Sequence, residues 1–264
     1  MINDEKRCNN LTGKEWLQNS FSIWRNLTKT KEEKDMGHPA SYPVSLCEKL
    51  IKTFSRNDAF ILDPFNGIGS SLVAAHNLGR KAVGIDLSEE FCKVAKQRIG
   101  NDENIKIISG DSFSELDKLK ENTFDLCITS PPYWDILNMK RSADGKQNIN
   151  YSEKSNDMGN IFEYRTFISK LGRLFFKVNR VLKPGAYCLV NVMDIRKKSN
   201  FYPFHSDLAT ELQKREYIFD DIIIWDRQQD YNNMRPLGYP YKYRINKVHE
   251  YILIFIKKDD CNAQ

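Results

Sequence analysis

Short apolar runs alternate with longer amphipathic stretches through most of the chain. The runs have the length and β-branched content of buried strands, and the stretches between them repeat apolar positions at helical spacing. Strands and helices that alternate in this way form a parallel sheet covered on both faces, with right-handed crossovers. The pattern predicts strands over 59–63, 81–86, 104–109, 124–129 and 186–192, and helices over 44–54, 70–78, 88–99, 115–119, 164–182 and 207–214.

The C-terminal part of the chain breaks this alternation. Residues 219–225 and 248–256 are both strongly β-prone, and no helical pattern separates them. Two consecutive strands without an intervening helix favour an antiparallel hairpin. We therefore predict an α/β fold with a doubly wound, seven-stranded, mostly parallel sheet that ends in an antiparallel hairpin.

Three segments fall outside the sheet pattern. Residues 1–37 are polar and charged, with a few apolar residues at a spacing that suits a short amphipathic helix. We predict them to be a helical extension of one domain that spans residues 38–264. Residues 138–160 and 226–247 are long and mostly polar, so we predict two exposed loops, and loops of this length are usually functional or disordered.

Composition limits the class of protein. The 264 residues are enough for one large domain, and 40 Lys and Arg against 35 Asp and Glu give a formal net charge of +5. That excess is compatible with a polyanionic partner but does not require one. The six cysteines are scattered, so neither a disulfide framework nor a metal site is indicated. No apolar stretch approaches the roughly 18 residues that span a bilayer. We expect a soluble cytoplasmic protein, a monomer or a homodimer, without membrane association.

Three successive strand ends contain glycine or acidic residues. Gly67 and Gly69 follow the first strand and enter a helix, whose free N–H groups suit a polar ligand. Asp86 closes the second strand 19 residues after Gly67, where dinucleotide-binding folds place an acidic acceptor for ribose hydroxyls. Asp111 ends the third strand similarly and is a candidate acceptor for an adenine amino group. The set predicts a nucleoside-containing cofactor.

The pattern does not favour NAD as that cofactor. The G-x-G-x-x-G spacing is absent, since Leu72 stands at the third position after Gly69. Asp63 adjoins the glycine loop, where its charge would repel a pyrophosphate. A cationic or amino-bearing ligand fits better. S-adenosylmethionine has both a sulfonium and an α-amino group, and it is the predicted cofactor.

The fourth strand, 124–129, runs directly into the tetrapeptide Ser130-Pro131-Pro132-Tyr133. Neither proline donates to a sheet, and both fix their backbone angles. A hydroxyl, two carbonyls and an aromatic ring are thereby held at the carboxyl end of a strand, where open α/β sheets bind ligands. The tetrapeptide is the candidate catalytic loop. A proline-stiffened loop without a catalytic role is the alternative.

These motifs resemble those of the amino-methylating DNA methyltransferases, the N4-cytosine and N6-adenine enzymes. DPFNGIGS resembles their cofactor loop, VGIDLS the ribose-binding strand end, GDS the third cofactor motif and TSPPYW the catalytic motif. HPASYP resembles the segment that covers the methionine moiety, and the motif order is the unpermuted one. The resemblance implies the class I methyltransferase fold and these cofactor contacts: Tyr42, Asp63, Phe65, Gly67, Gly69, Ser70, Asp86, Leu87, Asp111 and Ser112.

The resemblance also implies methyl transfer to an exocyclic base amine. Such an amine is a poor nucleophile because its lone pair is delocalised, and acceptors on its two hydrogens localise that pair in the transition state. Ser130 Oγ and the carbonyls of Ser130 and Pro131 are suitable acceptors, and Tyr133, with Trp134, would stack on a base extracted from the duplex. Methylation at cytosine C5 needs a thiolate. None of the six cysteines follows a proline, as the nucleophile of that family does, so we exclude it.

Several alternatives stay open for the substrate. Serine at the first motif position favours N4 of cytosine, and N6 of adenine is the alternative. An RNA base-amine methyltransferase and a catalytically silent nucleic-acid-binding protein are further alternatives. The family implies double-stranded DNA as the partner and a cognate restriction endonuclease as a second one. No separate target-recognition domain is evident after the catalytic motifs, so we expect the two long loops to read the DNA.

The two loops contain most of the candidate DNA contacts. In 226–247, basic residues alternate with tyrosines and amides, which can hold phosphates, stack on bases and read base edges. An ordinary hairpin loop whose tyrosines pack on the sheet edge is the alternative. The candidate contacts are Trp134, Lys140, Arg141, Arg227, Arg235, Tyr239, Tyr241, Lys242 and Arg244.

Overall fold

The computed structural model describes residues 7–36, 41–135, 158–231 and 236–259. The strands within these residues are β1 (Ile23–Trp24), β2 (Phe60–Asp63), β3 (Lys81–Asp86), β4 (Ile105–Ser109), β5 (Phe124–Thr129), β6 (Leu182–Val192), β7 (Ile195–Lys197), β8 (Asn200–Tyr202), β9 (Tyr217–Asp226) and β10 (His249–Lys257). The α-helices are α1 (Gly13–Asn19), α2 (Lys31–Asp35), α3 (Val44–Phe54), α4 (Ser70–Asn77), α5 (Glu89–Ile99), α6 (Ser112–Asp117), α7 (Tyr164–Val181) and α8 (Phe204–Gln213).

Eight of these strands form one sheet in the order β1-β9-β10-β6-β5-β2-β3-β4. The strands from β6 to β4 in that order are parallel, whereas β10 runs antiparallel to both β6 and β9. Apolar residues of α7 and α8 form one core cluster with the sheet, and those of α3 and α4 form another. The predicted α/β class, with a doubly covered sheet and a C-terminal antiparallel hairpin, is confirmed.

The sheet has eight strands rather than the predicted seven. The additional strand is β1, whose two residues pair in parallel with Ile224 and Trp225 of β9. Where one amphipathic helix was predicted, the segment instead forms the short helices α1 and α2 on either side of this strand. Trp24 of β1 is 1% exposed, and Lys49 Nζ lies 4.1 Å from the centroid of its ring. Burial of this one large side chain, rather than a helical stripe, anchors the segment.

A second feature absent from the prediction is the hairpin β7–β8, which follows β6 and lies apart from the main sheet. Its two strands have three residues each and pair antiparallel. In the described part of the chain, no helix has the length and apolar character of a membrane span.

Candidate active site

The strands β2 and β5 lie side by side at the point where the strand order of the sheet reverses. From β2 the chain continues outward through β3 and β4, whereas β5 and β6 lie on its other side. A crevice forms at the carboxyl ends of the strands at such a point, and open α/β sheets bind ligands there. The glycine loop follows β2 and the SPPY loop (residues 130–133) follows β5. The two predicted motifs are therefore neighbours in the structure.

Asp63, the last residue of β2, is enclosed by hydrogen-bond donors. Its carboxylate accepts bonds from the hydroxyls of Tyr42 (3.2 Å), Ser71 and Thr129 (2.6 Å), and from the backbone N–H of Phe65 (3.0 Å). Burial raises the pKa of Asp63, while these donors favour the ionised form and oppose the shift. Asp63 and Tyr42, both predicted as cofactor contacts, are thus hydrogen-bonded to each other. Through Thr129 and Ser71, Asp63 also joins β2 to β5 and α4.

The glycine loop between β2 and α4 turns at two residues with left-handed backbone angles. Gly67 and Gly69 have φ values of +51° and +81°, which favour glycine because a side chain is strained there. A Cβ at Gly69 would lie 2.8 Å from the Cβ of Ala95, so the loop packs closely against α5. Gly69 is the N-cap of α4 and no side chain caps that helix end. The loop therefore leaves backbone N–H groups of α4 for a polar ligand.

Asp86, at the end of β3, bonds directly to the glycine loop. Its Oδ2 accepts a hydrogen bond from the backbone N–H of Gly67 at 2.7 Å, and its Oδ1 accepts one from that of Ser88 at 2.9 Å. At the end of β4, Asp111 caps α6 through a bond from the N–H of Phe113 at 3.0 Å. The structure therefore brings the three predicted strand ends together along one edge of the sheet, and each of them places an acidic side chain there: Asp63, Asp86 and Asp111.

The other predicted cofactor residues lie along the same edge. Ser70 is the first residue of α4 and is buried, and Ser112 Oγ donates to the carbonyl of Pro64 beside the glycine loop. Phe65 is partly buried against the apolar cluster of α7 and α8, and Leu87 directly follows the end of β3.

The SPPY loop is held by hydrogen bonds at its first and last residues. Ser130 Oγ lies 3.2 Å from the hydroxyl oxygen of Tyr133 and 3.3 Å from the carbonyl oxygen of Asn191. The Tyr133 hydroxyl donates to Glu250 Oε2 at 3.1 Å. The ring of Tyr133 packs edge-on against Phe204 of α8, with 6.3 Å between centroids. The structure thus brings together the side chains of Ser130 and Tyr133, the first and last residues of the predicted catalytic loop.

The prediction missed the buried polar network behind this loop. Glu250 in β10 is 4% exposed and accepts hydrogen bonds from Tyr133, Asn191 Nδ2 and Arg227 Nη1. Lys29 lies close by, and burial, together with the charge of Arg227, lowers its pKa to about 8. The available signal was a glutamate inside an otherwise apolar strand, because a charge is kept in such a position only when it is paired.

The structure contradicts the predicted DNA contact of Trp134. This residue is 3% exposed, and its indole N–H donates to the carbonyl of Ile161 at 2.8 Å. Lys197 Nζ lies 4.1 Å from the centroid of the ring and forms an ion pair with Asp135. Rings from α7 and β8 complete the enclosure. Trp134 therefore fixes the end of the SPPY loop to the protein interior and is not available to stack on a base.

Arg227, another candidate DNA contact, is also engaged internally. Its guanidinium pairs with Glu250 and with Asp230, the latter at 3.2 Å, and its side chain is 19% exposed. Two carboxylates neutralise the charge that a phosphate would need, so this prediction does not fit the structure either. The candidates Lys140, Arg141 and Arg235 lie outside the described residues, as does most of the 138–160 loop.

Residues 236–247, here called the tyrosine loop, form an open surface. Tyr239, Tyr241 and Tyr243 are 78%, 94% and 91% exposed. These values contradict the alternative in which the tyrosines pack on the sheet edge. Arg244 donates to a backbone carbonyl in the turn between β7 and β8 at 2.7 Å. The predicted contacts that lie on this loop are Tyr239, Tyr241, Lys242 and Arg244.

The β7–β8 hairpin connects the tyrosine loop to the SPPY loop. On one side, the charged groups of Arg196 and Lys247 lie 5.4 and 5.1 Å from the ring centroid of Phe201 in β8. On the other side, Lys197 of β7 pairs with Asp135. The hairpin and the tyrosine loop together form a surface of cations and exposed rings, here called the basic–aromatic surface.

Three buried thiols of the described residues are poor nucleophiles. Burial raises the pKa of Cys47, Cys92 and Cys127, in the case of Cys92 to about 11. A raised pKa keeps a thiol protonated and unreactive. Within the described residues, no group of three or more His, Cys, Asp or Glu side chains is arranged to hold a metal ion.

The chain matches a family model described as DNA methylase over residues 2–97 and 124–263. A model described as RNA cap guanine-N2 methyltransferase matches residues 58–163. The type II methyltransferase M2.LlaDCHI of Lactococcus lactis subsp. cremoris is 40% identical over 78 residues, 29% of either chain. The type II methyltransferase M.MthZI of Methanothermobacter thermautotrophicus is 28% identical over 157 residues, 55% of this chain and 42% of that protein. The chain thus spans less than half the length of these relatives.

A solved structure with a similar fold is a SAM-dependent methyltransferase from Methanosarcina mazei. Its TM-score is 0.50 at 15% identity, over 79% of this chain and 97% of that one. This likeness concerns the fold alone, and it agrees with the predicted doubly wound α/β fold. The prediction of an S-adenosylmethionine-dependent enzyme agrees with the family match. The DNA methylase model covers most of the chain, including the glycine loop and the SPPY loop, and the chain therefore belongs to the family of N6- and N4-methylating DNA methylases.

Proposed function

We propose that this protein transfers a methyl group from S-adenosylmethionine to an exocyclic amine of a base in double-stranded DNA. The observation that supports the proposal most directly is the hydrogen bond between Thr129 and Asp63, 2.6 Å long. It joins the strand that leads into the SPPY loop to the strand that leads into the glycine loop. A methyl donor on one loop and an amine on the other would therefore meet in the crevice between them.

The residues of the crevice fit the proposed cofactor. A ligand with a sulfonium and an α-amino group is cationic there, and the edge offers the carboxylates Asp86 and Asp111. Asp86 would accept from ribose hydroxyls and Asp111 from the adenine amine, while uncapped N–H groups of α4 would bind polar groups of the cofactor. Because Gly69 has no side chain, the glycine loop packs closely against α5, which leaves space above the loop for a ligand.

The SPPY loop supplies acceptors for the base amine. When bound, S-adenosylmethionine provides an electrophilic methyl group on its sulfonium. Attack of the amine nitrogen on that methyl group would leave the donor as a neutral thioether, with the electron pair of the broken carbon–sulfur bond on sulfur, and the methylated amine would lose one proton to solvent. Ser130 Oγ and the carbonyls of Ser130 and Pro131 accept the amine hydrogens, which localises the nitrogen lone pair as the new bond forms. The ring of Tyr133 stacks on the extracted base.

The basic–aromatic surface supports a nucleic acid as the substrate. Its tyrosines expose nearly their whole side chains, which costs free energy in water unless a partner stacks on them. The cations of Arg196 and Lys247 both lie close to the ring of Phe201 on the same surface and can pair with phosphates. DNA that lies on this surface would reach the SPPY loop along the β7–β8 hairpin.

Cytosine N4 is the proposed target, because Ser130 occupies the first position of the motif, and adenine N6 is the alternative. Both named relatives are type II methyltransferases, so a cognate restriction endonuclease is a further proposed partner.

An RNA amine is a second candidate substrate, and one observation favours it. The model described as RNA cap guanine-N2 methyltransferase matches residues 58–163, which include both loops of the crevice. Guanine N2 is also an exocyclic amine, so the same acceptors would serve.

Transfer of tritium from labelled S-adenosylmethionine tests the proposal. The purified protein is incubated with duplex DNA, with structured RNA and with capped RNA in parallel. We expect label in duplex DNA. Label confined to either RNA contradicts the assignment of DNA, and label in none of them contradicts the proposed enzyme activity.

A further inference from the structure

We propose that Glu250 is a positioning residue that sets the direction of the hydrogen bonds in the catalytic loop. Its carboxylate makes Ser130 Oγ present lone pairs, rather than its proton, to the base amine. This inference rests on the proposed function and adds to it a residue that lies far from the SPPY loop in the sequence.

Glu250 is placed where a carboxylate is costly. It is 4% exposed within β10, and a buried charge is tolerated only when it is paired and hydrogen-bonded. Its two oxygens have different partners. Oε1 accepts from the guanidinium of Arg227, and Oε2 accepts from Tyr133 and Asn191. One oxygen thus balances the charge, and the other contacts the catalytic loop.

The bond directions follow from the chemistry of these groups. A carboxylate only accepts hydrogen bonds, so the Tyr133 hydroxyl has to donate its single proton to Glu250. For the same reason Asn191 turns its NH₂ group to Glu250, and this group also lies 3.3 Å from the Tyr133 oxygen. The amide keeps this orientation although its Oδ1 has no hydrogen-bond partner among the described residues.

Ser130 is the last member of this chain of bonds. The single proton of the Tyr133 hydroxyl is used in the hydrogen bond to Glu250. In its 3.2 Å contact with Ser130 Oγ, the Tyr133 oxygen can therefore only accept a hydrogen bond. The other neighbour of Ser130 Oγ is the carbonyl of Asn191 at 3.3 Å, which also only accepts. The Ser130 hydroxyl therefore directs its proton into the protein, whichever of these two acceptors it bonds. The lone pairs of Ser130 Oγ remain for the amine.

This direction matters for the proposed reaction. The base amine offers two N–H donors, and its nitrogen lone pair has to attack the methyl group. A Ser130 hydroxyl that donated to that nitrogen would occupy the lone pair and slow the transfer. Glu250 disfavours this arrangement without touching the base, because it leaves the Tyr133 oxygen as an acceptor for the Ser130 proton, in addition to the Asn191 carbonyl.

The test compares Glu250→Gln with Glu211→Gln as a matched control. Glu211 is also a buried glutamate paired with an arginine, Arg215 at 2.8 Å, but it lies in α8. Glutamine at position 250 can turn its NH₂ group to the Tyr133 oxygen and so reverse the bonds. We expect kcat for DNA methylation to fall on the order of 10- to 100-fold for Glu250→Gln, since small errors in positioning have effects of this size. The control should keep wild-type kcat, and KM for S-adenosylmethionine should stay unchanged in both.

Tyr133→Phe, alone and combined with Glu250→Gln, tests the route of the effect. If Glu250 acts through the Tyr133 hydroxyl, the loss of kcat in the double variant should be no larger than the larger loss in the two single variants. Multiplication of the two losses would overturn this route. A fall in thermal stability or in cofactor affinity that accounts for the lost activity of Glu250→Gln would show a structural role and overturn the proposal.

The activity of the wild-type protein separates the positioning role of Glu250 from the proposed function. An active wild type with a Glu250→Gln kcat equal to that of the control overturns the positioning role alone. An inactive wild type, with DNA and with both RNAs, overturns the proposed function and the positioning role with it.

Discussion

Single side chains at the crevice serve both the scaffold and the proposed ligand. Asp63 uses its whole carboxylate to join β2, β5 and α4, whereas Asp86 holds the glycine loop through the N–H of Gly67. Because a carboxylate oxygen has two lone pairs, Asp86 can accept from a ribose hydroxyl as well. Its loss would therefore remove a ligand contact and loosen the loop that the ligand lies on.

Asp86→Ala should weaken cofactor binding by about 10-fold or more, since hydrogen bonds to charged groups contribute about 1.5–3 kcal/mol. Titration calorimetry with S-adenosylmethionine measures this directly. Asp102→Ala is a suitable control, because Asp102 is also hydrogen-bonded, to His76 at 2.6 Å, but precedes β4 at the opposite edge of the sheet. Equal affinities for the two variants would show that Asp86 is not part of the cofactor site.

The site residues that were predicted from the sequence lie close along the chain to their partners, whereas Glu250 lies far from its partners. Asp86 lies 19 residues from its partner Gly67, at a strand end that the apolar pattern itself marks. Glu250 lies 117 residues from Tyr133 and 59 from Asn191. Only the pairing of β10 with β6 brings these groups together, and a pattern along the chain does not state that pairing. The burial of Trp134 escaped prediction for the same reason, because it depends on rings from α7 and β8.

At the scale of elements, the prediction succeeded where the apolar pattern was long enough to have a period. Helix α3 and strands β3 and β5 have the predicted bounds. Strand β1 has two residues, and β7 and β8 have three each, which is too short to show alternation. These short strands are stabilised by their neighbours: Trp24 by burial against the sheet, and Phe201 by the cations beside it.

The tyrosine loop gives a prediction at this scale. Replacement of Tyr239, Tyr241 and Tyr243 together by alanine should weaken binding to a DNA duplex that contains unpaired bases by about 10-fold or more, because stacking of an unpaired base on an aromatic ring contributes about 1–3 kcal/mol. Fluorescence anisotropy measures the change, and cofactor affinity should stay at the wild-type value. Phe21→Ala is the matched control, since Phe21 is 60% exposed in the N-terminal segment beside β1. If the triple variant binds DNA as tightly as the control, the tyrosine loop is not part of the DNA surface.

At the scale of the whole molecule, the order of the strands determines what the two motifs can do. The reversal of strand order between β2 and β5 places the glycine loop and the SPPY loop at one crevice. The β7–β8 hairpin links that crevice to the tyrosine loop. The sequence predicted the crevice because each motif directly follows a strand. It also predicted the residues of the tyrosine loop, but not that Arg227 is paired internally, because the net charge of +5 says nothing about which cations have partners within the protein.

The identity of the methylated nucleoside is the most direct test of whether this protein methylates a base amine in DNA. DNA from cells that express the protein is digested and analysed by mass spectrometry, with DNA from cells that express Ser130→Ala as the reference. We predict N4-methylcytosine in the wild-type sample and its loss in the reference. N6-methyladenine in its place would change the assigned target base from cytosine to adenine and would still support methylation of an exocyclic amine. DNA without any methylated base that depends on Ser130, or with methylation only at cytosine C5, would contradict the account.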